Sequence, residues 1–163
     1  MYSKEQLWKS ISNEVRIIKH LAGKILVGTE GYRPSDSQRS TLELLQYLSA
    51  TGSGIMKILL TDDKEASKQY TDFKASVTVT NFAEKMDEQE ADMKKTFVQF
   101  TDADLAKEIE LFGTTRTKAE HLVDLVLKSF TAYRMQLFLY IRASGAQVFT
   151  PDVWGGVDTP PKA

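Results

Sequence analysis

The stretch SFTAYRMQLFLYIRASG, residues 129–145, decides how this chain is read. It is apolar enough to run through a core, and Gly145 is a natural helix stop. Yet its inward stripe carries Ser129, Tyr133 and Gln136 among the leucines and phenylalanines. Ser129 and Tyr133 stand four apart and so share one helix face, with Gln136 three residues later on nearly the same side. Such groups either line a site or are hydrogen-bonded core residues. In the second case Ser bonds back to a carbonyl, Tyr packs its ring and Gln bridges to a neighbour. Spacing favours that second reading, because buried polar groups are usually just satisfied. A Ser–Tyr pair with no base beside it is a weak nucleophile.

Three more segments carry helical periodicity. The first spans residues 4–25, with Leu7, Trp8, Ile11, Val15, Ile18, Ala22 and Ile25 on one stripe and Ser3–Gln6 at capping-box spacing. The second starts at Ser40, with Glu43 three residues on, and is expected to break at TGSG, residues 51–54. The third covers residues 81–100 and buries Phe82, Met86, Met93 and Phe97. The fourth begins after Thr117, with Glu120 completing its cap, and runs to about residue 144. About 20 residues, TDDKEASKQYTDFKASVTVT, join the second and third segments, more than a tight hairpin needs. Their SVTVT end alternates like a strand but has no evident partner. TDADLAKE reads as a capped extra turn before a break at Gly113, and TPDVWGGVDTPPKA as an extended tail that Trp154 either pins or leaves in solvent. The pattern predicts an all-α chain: a four-helix bundle with a long crossover between the second and third helices. It forms one domain over residues 1–163, with an extended tail from about residue 146.

Composition narrows the function. A net charge of −1 and scattered Lys and Arg argue against a nucleic-acid surface. The 163 residues contain no cysteine, which excludes disulfides, thiol nucleophiles and thiolate metal sites. No run approaches the roughly 20 apolar residues of a membrane span, and the N-terminus lacks an apolar signal core. The expectation is a cytoplasmic protein with no membrane partner. There is no phosphate-binding glycine loop, no HExxH and no GxSxG. His20 falls with Lys9, Asn13 and Arg16 on a polar face and reads as a solvated surface histidine. His121 lies about 12 Å along the axis from Ser129 and reads as a helix-end histidine with structural hydrogen bonds. Asp87, Glu88, Glu90, Glu108 and Glu110 read as a solvated charged face. Neither histidine has a glutamate three residues before it, so the di-metal pattern of helical bundles is absent.

Two stretches together carry a resemblance. SxxELLxYL at residues 40–48 resembles the start of the second helix in the DinB/YfiT-like superfamily, where a histidine commonly precedes the last leucine. SxxxYRxQL at residues 129–137 resembles that superfamily's fourth-helix pattern HxxxHRxQL. YIRASG and YRPSDSQ are similar to the segments that close its fourth helix and precede its second. The resemblance implies a four-helix bundle with a long crossover. In many members it also implies three histidines holding zinc or nickel, some of them in thiol-dependent transferase or isomerase chemistry. Carried over by position, those ligands fall on Tyr47, Ser129 and Tyr133; Arg134 and Gln136 match the motif. Neutral phenols and a hydroxyl are poor zinc ligands, so no metal and no cofactor is expected.

The resulting expectation is a DinB-like protein with a small cleft lined by Tyr47, Ser129 and Tyr133, with Gln136 and Trp8 as neighbours. The cleft is expected to take a small, partly apolar molecule or to serve interaction, homodimerisation included. The alternative is a transferase or hydrolase of the DinB-like type, with an atypical metal site or none.

Overall fold

The computed structural model describes residues 3–159. Helix α1 (Lys4–Ala22) starts at a full capping box: Ser3 Oγ accepts from the Gln6 N–H while the Gln6 side chain takes the Ser3 N–H. The same device opens α2 (Thr41–Thr61) through Ser40 and Glu43. Downstream lie a 3₁₀ turn (Ala66–Tyr70), the short α3 (Thr71–Ala75), α4 (Phe82–Phe97) and the capped turn α5 (Asp102–Ala106). Strands β1 (Glu108–Leu111) and β2 (Thr114–Thr117) follow. The last long helical run is composite: α6 (Lys118–His121), a π turn (Leu122–Leu127) and α7 (Lys128–Ala143).

The chain is mostly helical. α1 and α2 each pack against α4 and α7, and their inward faces share one apolar core. Ile11, Val15, Leu44, Leu48, Met86 and Phe130 are fully buried in it. Each such side chain contributes about 1.5–3 kcal/mol by leaving water.

The TGSG stretch does not break α2, which runs unbroken for 21 residues. Gly52 and Gly54 instead permit close packing. A Cβ on Gly52 would lie 2.4 Å from Met93 Sδ and 2.7 Å from Phe130 Cζ. At this crossing Gln89 of α4 reaches the α2 backbone. Its Oε1 accepts from the Gly52 N–H at 3.1 Å, and its Nε2 donates to Leu48 O at 2.8 Å. α1 ends at Ala22, three residues short of the expected stop, and α4 ends at Phe97.

SVTVT forms no strand. Asn81 Oδ1 accepts from the Thr78 N–H, Thr78 Oγ1 accepts from the Asn81 N–H, and Gln46 donates to Val77 O. The β structure lies elsewhere. β1 and β2 pair antiparallel from Glu108↔Thr117 to Leu111↔Thr114 around the two-residue loop Phe112–Gly113. Both loop residues have positive φ, 51° and 77°, as a type I′ hairpin requires. Asp62, the left-handed cap of α2, anchors the hairpin's base by pairing with Lys107 and, at 2.6 Å, with the buried Lys118. The tail is not extended where described: Pro151–Gly155 form a π turn against α1. Residues 160–163 lie outside the described residues. No helix among the described residues is long and apolar enough to cross a membrane.

Gly52→Ala is expected to cost about 1–3 kcal/mol by overpacking the helix crossing. Gly31→Ala meets nothing within 4 Å and serves as the control. Urea midpoints measure both; a Gly52→Ala midpoint no lower than that of the control would refute the close-packing assignment.

Candidate functional site

The packing of α2 on α7 brings Tyr47 to Tyr133. Their ring centroids are 4.9 Å apart at 62°, an edge contact of the kind worth about 0.5–1.5 kcal/mol. Arg39, just before the α2 cap, lays its guanidinium 4.3 Å from the Tyr47 ring centroid. Burial raises the Tyr133 phenol above its ordinary value, and Tyr47 adds to the rise. Ser129 sits one turn before Tyr133, half-buried on the same helix.

Gln136 and Trp8 do not join this pair. Gln136 donates to the Tyr140 hydroxyl at 2.5 Å, and Tyr140 meets the edge of Tyr32 at 5.6 Å, which steadies the loop before α2. Trp8 tilts against Phe97 at 5.5 Å, with the Lys94 ammonium 4.7 Å from its ring centroid, on the α1–α4 face.

Tyr47 also forms one wall of a groove of about 350 Å³ between α2 and the residues that follow it. Thr51, Ile55, Ile58, Tyr70 and Phe112 line the rest. The Tyr70 hydroxyl donates to Asp92 at 2.6 Å; burial, then that bond, hold its phenol well above the usual tyrosine range. Lys74 stands where this groove meets a polar recess lined by Arg39, Glu43 and Gln46. Sequence reading missed Phe112, because its loop has Phe rather than Asn or Asp before the glycine. Phe112 is 76% exposed at φ 51°, a conformation that is an outlier for a bulky residue.

A second polar centre lies between α1 and α7. Arg134 donates to Glu14 Oε1 at 3.1 Å, while Glu14 Oε2 and Arg134 Nε are buried without a partner. Burial raises the Glu14 carboxyl despite the opposing pull of Arg134. Trp154 of the tail covers Arg134, with the guanidinium 5.3 Å from its ring, although the indole is itself mostly exposed.

His20 is not a solvated histidine. Its Nε2 lies 2.9 Å from Oδ1 of the buried Asp152, a partner 132 residues away that periodicity gave no means of seeing. His121 is buried, with Nε2 2.9 Å from Ile109 O, so it holds the hairpin.

The crystal structure of a DinB-like protein from Bacillus subtilis matches this chain with a TM-score of 0.69. The match covers 87% of this chain and 93% of that one at 19% identity. The fold is DinB-like. No family model matches the sequence, and no curated protein matches it.

Breaking the Glu14–Arg134 pair with Arg134→Met is expected to cost about 3–5 kcal/mol, since it strands a buried carboxylate. The double change Glu14→Leu with Arg134→Met should recover most of that loss. Because the folded Glu14 value is raised, its contribution is fully present below the unfolded value and is lost as pH rises through the folded one. The double variant should lack that component. Denaturant titrations across pH check both, and a double variant as unstable as the single one contradicts the account.

Proposed function

We propose that this chain is a DinB-like four-helix bundle of α1, α2, α4 and α7 with residues 62–81 as its crossover. In it one of the family's metal positions, Tyr47, has become part of the wall of a small-ligand groove, with Tyr133 packed against its ring. Tyr47, Ser129 and Tyr133 occupy those positions on this reading. Their donor chemistry does not fit a divalent cation: two neutral phenols, one of them pushed further from ionisation, and a hydroxyl, with Arg39 stacked on Tyr47. No catalytic step is assigned to a metal there. The reading is of a cytoplasmic binding protein rather than an enzyme.

The observation that carries this proposal is Phe112. Holding a bulky residue at positive φ costs of order 1–3 kcal/mol, and such outliers gather at ligand clamps. Here Phe112, its backbone held at positive φ, lines the groove together with Tyr47 and Tyr70. An aromatic and aliphatic lining with Lys74 and Arg39 nearby suits a small molecule with an apolar body and an anionic head.

The test is fluorescence titration with 1-anilinonaphthalene-8-sulfonate, an apolar anion. Phe112→Asn should stabilise the fold by about 1 kcal/mol through relief of the turn. It should also weaken probe binding roughly tenfold by removing an aromatic contact. A variant that is more stable and binds equally well would show that Phe112 is no part of a site. Probe binding indifferent to Tyr47→Ala as well would end the proposal.

A further inference from the structure

The tail closes on the last turn of α1, and there two distant segments bring together an imidazole and two carboxylates. His20, Asp152 and Asp158 each offer one ligand atom, and these atoms all lie within 4.8 Å of one another. We propose that these three side chains form a site for a divalent transition-metal cation, zinc being the best fit. The site is separate from the groove of Tyr47 and Phe112, and the proposal does not rest on any function of that groove.

The geometry is close to what the ion needs. Ligand atoms at about 2.0–2.2 Å from a tetrahedral zinc stand roughly 3.3–3.6 Å from each other. His20 Nε2 and Asp152 Oδ1 are 2.9 Å apart, already near a bridged spacing. Asp158 Oδ1 is 4.0 Å from the same nitrogen and all three ligand atoms lie within 4.8 Å, so Asp158 needs to move inward by about 1 Å. Exchanging its Lys24 partner for the ion lets Asp158 make that move: its side chain is 78% exposed and it lies two residues after Gly156.

Asp152 is built as a fixed ligand. The Phe149 N–H and Thr159 Oγ1 both donate to its Oδ2, at 2.9 and 2.7 Å, which leaves Oδ1 turned toward His20. Outer hydrogen bonds of this kind orient metal-binding carboxylates. Asp152 is only 2% exposed, so its orientation is fixed by packing as well as by these bonds. The site lies at the C-terminal turn of α1, the negative end of the helix dipole, which favours positive charge. One imidazole, two carboxylates and a fourth position open to solvent make up the mixed nitrogen–oxygen set that zinc accepts.

Without the metal, Lys24 supplies the positive charge by pairing with Asp158. Lys24 and the cation therefore compete for one carboxylate, and this competition gives the site a signature that incidental metal binding lacks.

The experiment uses the full, untagged chain titrated with cobalt(II), read by its visible d–d bands, and with zinc by calorimetry. Expected are one equivalent of metal per chain and tetrahedral cobalt bands. Asp158→Asn, a change at an exposed position, should lower affinity by more than the roughly 10–100-fold that loss of an outer-shell partner costs. Lys24→Met should tighten binding roughly 2–5-fold, the range in which an exposed ion pair competes. Absence of cobalt bands in the parent chain overturns the proposal. So does uptake by Asp158→Asn equal to that of the parent, which would put the metal elsewhere.

Discussion

The close crossing of α2 over α4 is the constraint on which the other features depend. Gln89 bonds directly to backbone groups of α2, and that is possible only where the helix surface carries no side chain. Gly52 provides the gap, and Met93 and Phe130 fill the space around it to contact distance. A glycine in mid-helix costs about 1 kcal/mol relative to alanine. Here that loss is offset by two hydrogen bonds to an otherwise buried amide and by apolar contact on both sides. With α2 kept whole, Tyr47 faces α7 near its start while Asp62 caps its end and holds the base of the hairpin. Phe112 then reaches back to the same helix, so both rings line one groove.

The opposite flank is organised by charge. A buried ion pair with two unsatisfied atoms is rarely a net source of stability, and an apolar pair of similar volume often does as well. What Glu14 and Arg134 do provide is a cationic platform for Trp154. Arg16 donates to the carbonyls of Gly155 and Gly156, at 2.8 and 3.1 Å, and His20 meets Asp152 one turn further on. The described tail is thus tied to α1 by side chains from successive turns and belongs to the packed structure.

The long helices were legible because two independent signals agree: an apolar stripe of helical period and capping-box spacing at the start of three of them. Other features depend on partners that a single strand of sequence does not reveal. Glycines within TGSG look alike whether they end a helix or admit a neighbour, and only Met93 and Phe130 distinguish the two cases. The hairpin hid behind Phe112, since the strongest signal for its turn is Asn or Asp before glycine. His20 looked solvated because Asp152 lies in a distant segment that read as extended. Tyr133 stands out by its place on the apolar stripe and Tyr47 by resemblance, and the two rings meet in the fold. Trp8, placed beside them in expectation, faces α4 instead.

On the proposed reading, Tyr47, Ser129 and Tyr133 converge at the positions where the DinB/YfiT-like resemblance implies three histidine ligands. The most direct test restores the ligands: a variant carrying Tyr47→His, Ser129→His and Tyr133→His, assayed for nickel and zinc stoichiometry against the parent chain. If the three positions converge, the variant gains one tightly bound equivalent over the parent. A folded variant that gains none would contradict the account, because the three side chains would then not share a site.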